Sequence, residues 1–134
     1  MYVIDTYSWL DYFSSTKKNE ELSKLIEQSP DLHTPALAFS EVKRMLLRKI
    51  RLGEETRAGM AQKLHFIRLN SFIAELDADT AERAAEIADE LGQERKGMGL
   101  ADAVILATAR SLGAKVVTGD EHFRGLKDVV FIKP

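Results

Sequence analysis

The sequence of 134 residues contains no cysteine. That absence removes disulfides, zinc–thiolate centres and thiol nucleophiles together, and it is compatible with a reducing compartment. Proline is scarce, with three residues, and no linker, low-complexity segment or internal repeat divides the chain. Long apolar runs are missing as well. The most apolar stretch, Gly99 to Ala109, is interrupted by Asp102 and falls far short of the ~20 residues that cross a bilayer. The opening MYVIDTYSWLDYF holds Asp5 and Asp11 and has no basic segment ahead of its apolar residues, so no signal peptide is expected. The expectation is one domain over residues 1–134, soluble and cytoplasmic. Its length sits within the ~100–150 residues of a typical domain, enough to bury a core without a covalent or metal staple.

Several catalytic signatures are also absent. There is no Gly-rich phosphate loop ending in Lys-Ser/Thr, no Gly-x-Ser-x-Gly elbow and no His-Glu-x-x-His helix. His33, His65 and His122 lie far apart without ligand spacing; His65 reads as a helix-surface residue and His122 as at most a peripheral contact. A formal net charge of −2 argues against a generic nucleic-acid coat. The charge is unevenly spread, however. From Lys43 to Arg68 there are eight basic residues against Glu54 and Glu55, a surplus of six, so the rest of the chain carries −8. That split suggests one basic surface on an acidic body, although two amphipathic helices with solvated outer faces would give the same counts.

What is present alternates between two periods. Tyr2–Ile4, Leu32–Thr34, Phe72–Leu76, Lys115–Thr118 and Val129–Ile132 read as short strands. Helical spacing appears over Thr6–Phe13, Glu20–Gln28, Ala36–Arg51, Glu54–Leu69, about Ala81–Leu91 and Leu100–Leu112, with a short helix expected within Glu121–Leu126. Gly53 and Gly113 are natural stops, Asp77 to Thr80 offer caps, and Gly59 is a weak point inside its helix. The predicted fifth long helix buries Ala84, Ala85, Ile87, Ala88 and Leu91, and Lys96–Gly99 forms a break before the sixth. Strands alternating with helices predict an α/β fold with a mostly parallel sheet covered on both faces.

In such sheets, ligand sites collect beyond the carboxyl ends of the strands. Asp5 follows one strand and Asp120 follows Val-Val-Thr-Gly after another. Each could equally cap the helix that comes next. Glu41 stands among Leu37, Ala38, Val42 and Met45 on its helix, where a carboxylate must be paired, protonated or metal-bound. Asp102 lies in the first turn of the most apolar helix; the helix dipole favours an acid there by about 0.3–1 kcal/mol but does not explain its apolar surroundings.

If these four acids converge within ~6 Å, each pair repels by roughly 3 kcal/mol at an effective dielectric near 20. A cation would offset that. Oxygen ligands without Cys or a His pair favour Mg²⁺ or Mn²⁺ over zinc. Metal-bound water and a polarised phosphate suit phosphodiester hydrolysis. Thr118 is expected to hold a carboxylate or a bound water beside the ion. Lys43, Arg44, Arg48, Lys49 and Arg51 follow Glu41 on one helix, and Arg44 and Arg48 are the candidates for phosphate contact. The same basic helix pair also suits a protein interface.

Four blocks in order resemble PIN domains, especially the VapC-type toxins: Val3-Ile4-Asp5-Thr6 with Trp9–Phe13, Ser40-Glu41-Val42, Leu100-Ala101-Asp102-Ala103 and Thr118–Phe123. They span nearly the entire chain. Gly119 is one of several residues found at its position in that pattern. The resemblance implies an α/β/α sandwich, a Mg²⁺ or Mn²⁺ site held by Asp5, Glu41, Asp102 and Asp120, and cleavage of single-stranded RNA. It also implies a cognate antitoxin and a homodimer. A housekeeping RNA-processing nuclease is the alternative to a toxin, and a binding module that has kept the fold but lost catalysis is the rival from another class, against which the intact acids argue. A haloacid-dehalogenase-like phosphatase does not fit, because its loop needs a second Asp where Tyr7 stands.

Overall fold

The computed structural model describes residues 1–14 and 19–132. Five strands form one sheet: β1 (Tyr2–Ile4), β2 (Leu32–Pro35), β3 (Phe72–Ala74), β4 (Lys115–Thr118) and β5 (Val129–Phe131). They lie in the order β3-β2-β1-β4-β5, and every pairing is parallel. Among the described residues six α-helices pack around it: α1 (Thr6–Tyr12), α2 (Glu20–Gln28), α3 (Ala36–Arg51), α4 (Arg57–Asn70), α5 (Ala78–Glu94) and α6 (Leu100–Leu112).

Strand alternation sorts the apolar side chains into two layers. Val3 and its register partner Val116 face a core with Ile87 of α5 and Ala103, Leu106 and Ala107 of α6. Ile4 and its partner Val117 point the other way, onto Trp9 of α1, Leu22 and Ile26 of α2, Val42 and Leu46 of α3, and Ile67 of α4. The result is the expected three-layer α/β/α sandwich. Apolar residues on both faces of each central strand explain why these strands read as unbroken β-branched runs.

Connectivity decides where a ligand can enter. The chain moves outward from β1 to β2 and β3, then returns to β4 on the opposite side of β1 and continues to β5. The order therefore reverses between β1 and β4, and the crevice beyond the carboxyl ends of that pair is the natural binding position. Helices α3 and α6 also begin at this edge of the sheet, α3 by following β2 and α6 by preceding β4.

Caps set the boundaries that periodicity left loose. The fourth helix begins at Arg57 rather than Glu54, because Thr56 Oγ1 accepts from the Gly59 N–H at 2.9 Å and ends the helix there. Gly59 thus lies in the first turn, where its missing side chain costs little. Replacing Thr56 with Ala should lower stability by about 1 kcal/mol in urea unfolding, the usual value of an N-cap. Likewise Asp77, not Thr80, caps α5 by accepting from the Thr80 N–H at 2.8 Å, so that helix starts three residues before the expected Ala81. Ala85 is exposed, contrary to expectation, because Ala84 and Ile87 define the buried face and residue 85 turns away from it. The third strand ends at Ala74, short of the predicted Leu76, and Leu76 is 45% exposed.

Candidate active site

Both sides of the crevice present an acid whose backbone is fixed. Asp5 directly follows β1 and caps α1, its Oδ1 accepting from the Ser8 N–H at 2.8 Å. Ser8 Oγ in turn donates to the Val117 carbonyl at 2.8 Å, clipping the first turn of α1 to β4. Across the crevice, Asp120 caps a 3-10 turn (Glu121–Phe123) by accepting from the His122 N–H at 3.0 Å. Its own N–H donates to Thr118 Oγ1 at 2.9 Å. Capping and a role at the crevice were alternatives in the sequence; here both acids cap and both face the crevice. Each cap occupies one carboxylate oxygen and leaves the other to point elsewhere.

The two helix-borne acids complete the group. Asp102 sits in the first turn of α6, with Oδ2 at 3.0 Å from His122 Nδ1. The same imidazole nitrogen is 3.5 Å from Asp120 Oδ1 and so bridges two of the acids. Glu41 lies half-buried on α3, where its Oε1 accepts from Thr6 Oγ1 at 2.8 Å. All four acids line one cleft of about 490 Å³.

Its walls differ in character. Leu10, Met45 and Ile105 supply apolar surface, Tyr7 lies at the β1 side, and Arg44, Arg48 and Arg51 extend from Glu41 along α3. Positions 41, 44, 48 and 51 fall on one helical ridge about 15 Å long at 1.5 Å per residue. Among the described residues, neither Arg44 nor Arg48 is paired with a carboxylate. Two exposed guanidinium groups beside a cluster of acids thus remain available to a negatively charged ligand.

Burial shapes the electrostatics more than mutual repulsion does. Asp5 is 3% exposed, and loss of water around it pushes its carboxyl up to about 6. Hydrogen bonds from Thr118 and Ser8 pull in the opposite direction, and the charge on Asp120 adds only a lesser push upward. The Asp102 carboxyl is also raised, first by burial; the His122 hydrogen bond opposes this, and the Asp120 charge reinforces it. Thr118, fully buried at the end of β4, hydrogen-bonds the Asp5 carboxylate and accepts from the Asp120 backbone, holding both acids in place.

A divalent cation fits this donor set. Asp102, Asp120 and His122 each offer a ligand atom, and those atoms lie within 4.8 Å of one another. Asp5 adds a buried carboxylate that has no positive partner among the described residues, which is the condition a cation relieves. His122 therefore stands closer to the acids than the peripheral place expected from its spacing. The separation of 20 residues from Asp102 to His122 hid the contact, which depends on the 3-10 turn that Asp120 caps. Sequence reasoning also passed over Thr6 as the partner of Glu41 and Tyr7 as part of the cleft wall. In both cases their place within two residues of Asp5 was the available signal.

Comparisons with known proteins agree with this architecture. No curated protein matches the sequence. Among solved structures, a toxin–antitoxin complex from Klebsiella pneumoniae is similar at 25% identity and a TM-score of 0.70, covering 97% of this chain and 96% of that one. VapC20 from Mycobacterium tuberculosis, described as a sarcin–ricin loop cleaving toxin, shares the fold with a TM-score of 0.74 at 22% identity, and both chains are covered in full. VapBC2 from Rickettsia felis, bound to a DNA fragment from its promoter, shares it with a TM-score of 0.73 at 16% identity, covering 97% and 96%. The sequence matches the family model described as PIN domain over residues 2–129, and the chain therefore belongs to the PIN domain family.

Proposed function

We propose that this protein is a Mg²⁺- or Mn²⁺-dependent endoribonuclease that hydrolyses phosphodiester bonds of single-stranded RNA, acting as the toxin of a VapBC-type pair. The observation that carries this reading is the convergence of Asp5, Glu41, Asp102 and Asp120 on one cleft that Arg44, Arg48 and Arg51 also line. Asp5, Glu41, Asp102 and Asp120 would hold one or two ions. When bound, these supply an activated water and offset the charge that develops on the phosphate and leaving oxygen. One of the acids, directly or through a water, accepts the proton of the attacking water. Thr118 holds the Asp5 carboxylate, and His122 steadies Asp102 against Asp120. RNA as the substrate is supported by the sarcin–ricin loop cleaving toxin that shares the fold, and a protein antitoxin by the similar toxin–antitoxin complex. The remaining parts of the reading are a single nuclease domain over residues 1–134, a homodimer and a cytoplasmic location. Among the described residues no helix is long and apolar enough to cross a membrane.

The test is cleavage of an end-labelled single-stranded RNA by purified, partner-free protein in Mn²⁺, Mg²⁺ or EDTA. Cutting that requires the ion supports the nuclease; a folded, ion-loaded protein that cuts no RNA of varied sequence refutes it. Growth arrest on expression, relieved by the product of an adjacent gene, would distinguish a toxin from an RNA-processing enzyme.

Arg44 and Arg48 give a separate prediction. Replacing both with Ala should weaken RNA binding roughly ten-fold near physiological salt. If each contacts one phosphate, the slope of log affinity against log salt should flatten by about 1.4, at ~0.7 per contact on a single strand. Filter binding across a salt series measures both; an unchanged slope would remove the two arginines from the RNA path.

A further inference from the structure

We propose that Tyr7 is the nucleobase platform of the cleft, its ring stacking on a base of the RNA strand whose phosphate lies at the acids; this rests on the ribonuclease reading. Tyr7 lies in the first turn of α1, two residues after Asp5, and lines the cleft together with the acids. It is 42% exposed. Most aromatic residues of the chain are otherwise engaged: Trp9, Tyr12, Phe13 and Phe66 pack on one another, and Phe123 is buried. Among the described residues Tyr7 has no ring partner and no side-chain hydrogen bond. A large ring left open beside a polar centre is an uncommon use of apolar surface in a chain with only 7% aromatic residues.

One edge of the ring is nevertheless packed against the chain. A Cβ added at Gly119 would lie 2.5 Å from Tyr7 Cε1 and 3.1 Å from Cδ1, so the ring occupies the space a side chain at 119 would take. Gly119 immediately precedes Asp120. The ring thus rests on the backbone joining β4 to one acid and is carried by the helix that begins at another. Such support holds a stacking surface at a constant distance from the reacting phosphate.

Cleft chemistry favours a base as the occupant. Binding a phosphodiester requires the acids with their cation and the arginines, but it gives no reason for Leu10, Met45 and Tyr7 on the same walls. A nucleotide has both parts, and unstacked bases of single strands are held on aromatic side chains. Stacking is tolerant of base identity, so Tyr7 acts on affinity and register more than on sequence choice.

The experiment uses the full chain with Asp102→Asn to prevent cutting, and measures affinity for a short single-stranded RNA in Mn²⁺. Tyr7→Ala should weaken binding roughly ten-fold or more, and Tyr7→Phe should keep it, because the ring and not the hydroxyl is used. Abasic substitution, placed at each RNA position in turn, should at one position weaken binding to the Tyr7 protein by the same factor. At that position it should cost nothing further with Tyr7→Ala. A 2-aminopurine there should be quenched by the Tyr7 protein and brighter with Tyr7→Ala. Equal affinity of Tyr7 and Tyr7→Ala overturns the proposal, and so does a Tyr7→Ala defect that no abasic position absorbs, since that marks a structural role. If wild-type protein cuts RNA while Tyr7→Ala binds and cuts equally well, only the platform falls. If wild type neither binds nor cuts RNA, the ribonuclease reading falls first.

Discussion

Asp102→Asn is expected to reduce ion-dependent RNA cleavage by about a thousand-fold or more while leaving the protein folded. The size of the loss follows from what the residue would do. An acid that holds the ion sets both its affinity and its position, and misplacing reacting groups by ~1 Å alone can cost on the order of a hundred-fold. The survival of the fold follows from the local geometry. Asn keeps the size of Asp and an oxygen that can accept from His122 Nδ1, now at 3.0 Å from Asp102 Oδ2. Burial raises the Asp102 carboxyl above its ordinary range, so removing the charge relieves the metal-free protein. Cleavage by wild type and variant, read beside their circular dichroism and melting curves, measures both expectations. A variant that melts no lower than wild type yet cuts at the wild-type rate would exclude Asp102 from the machinery.

How legible this site was depended on the range of the interactions that build it. The central strands were clear because Val3-Ile4 and Val116-Val117 bury both faces and so form uninterrupted apolar runs. The third helix was legible to the residue, since Pro35 precedes it and its basic last turn runs into Leu52-Gly53. Asp5 and Asp120 were found by their places after strands, Glu41 and Asp102 by their conflict with apolar neighbours. Each signal is local. Their gathering into one cleft depends on the parallel pairing of β1 with β4, which no local pattern states.

The misses have the same cause. His122 meets Asp102 through a turn, a strand and a helix, and its spacing resembles no ligand motif. Tyr7 reads as an ordinary member of the first helix because its ring packs against Gly119, more than 100 positions away. The helix starts at Thr56 and Asp77 were misjudged for a smaller reason. Several cap-forming residues stand in a row before α5, and hydrogen bonds from the Gly59 and Thr80 N–H groups to Thr56 and Asp77 fix where the two helices begin.

Asp5→Asn should separate stability from function in the same sense and by more, because Asp5 is the more deeply buried acid. In the metal-free protein the Asp5 carboxyl is pushed up to about 6 from its ordinary 3.8, chiefly by burial. Between those values the folded protein keeps a proton that the unfolded chain has released, so this group lowers stability as pH rises. Below about pH 4 both states are protonated and nothing is lost; above about pH 6 both are ionised and the full penalty is in force. A shift of this size corresponds to up to about 3 kcal/mol at 1.36 kcal/mol per pH unit. Asn carries no charge and retains an oxygen for the Ser8 N–H, but it must rearrange the hydrogen bond with Thr118. The net gain at pH 7 in EDTA should therefore fall between about 1 and 3 kcal/mol, or roughly 4–10 °C in melting temperature across that range. It should shrink towards zero by pH 4. Adding Mn²⁺ should reverse the order, because an ion that binds only the folded state stabilises wild type in proportion to its affinity, and the variant lacks one of the acids that hold it. Melting curves of both proteins from pH 4 to 7, with EDTA and with Mn²⁺, test all three statements. Equal stability at pH 7 in EDTA would mean that Asp5 is not strained when metal-free. A pH-dependent gain in EDTA with an unchanged response to Mn²⁺ would leave the strain intact but remove Asp5 from the ion's ligands.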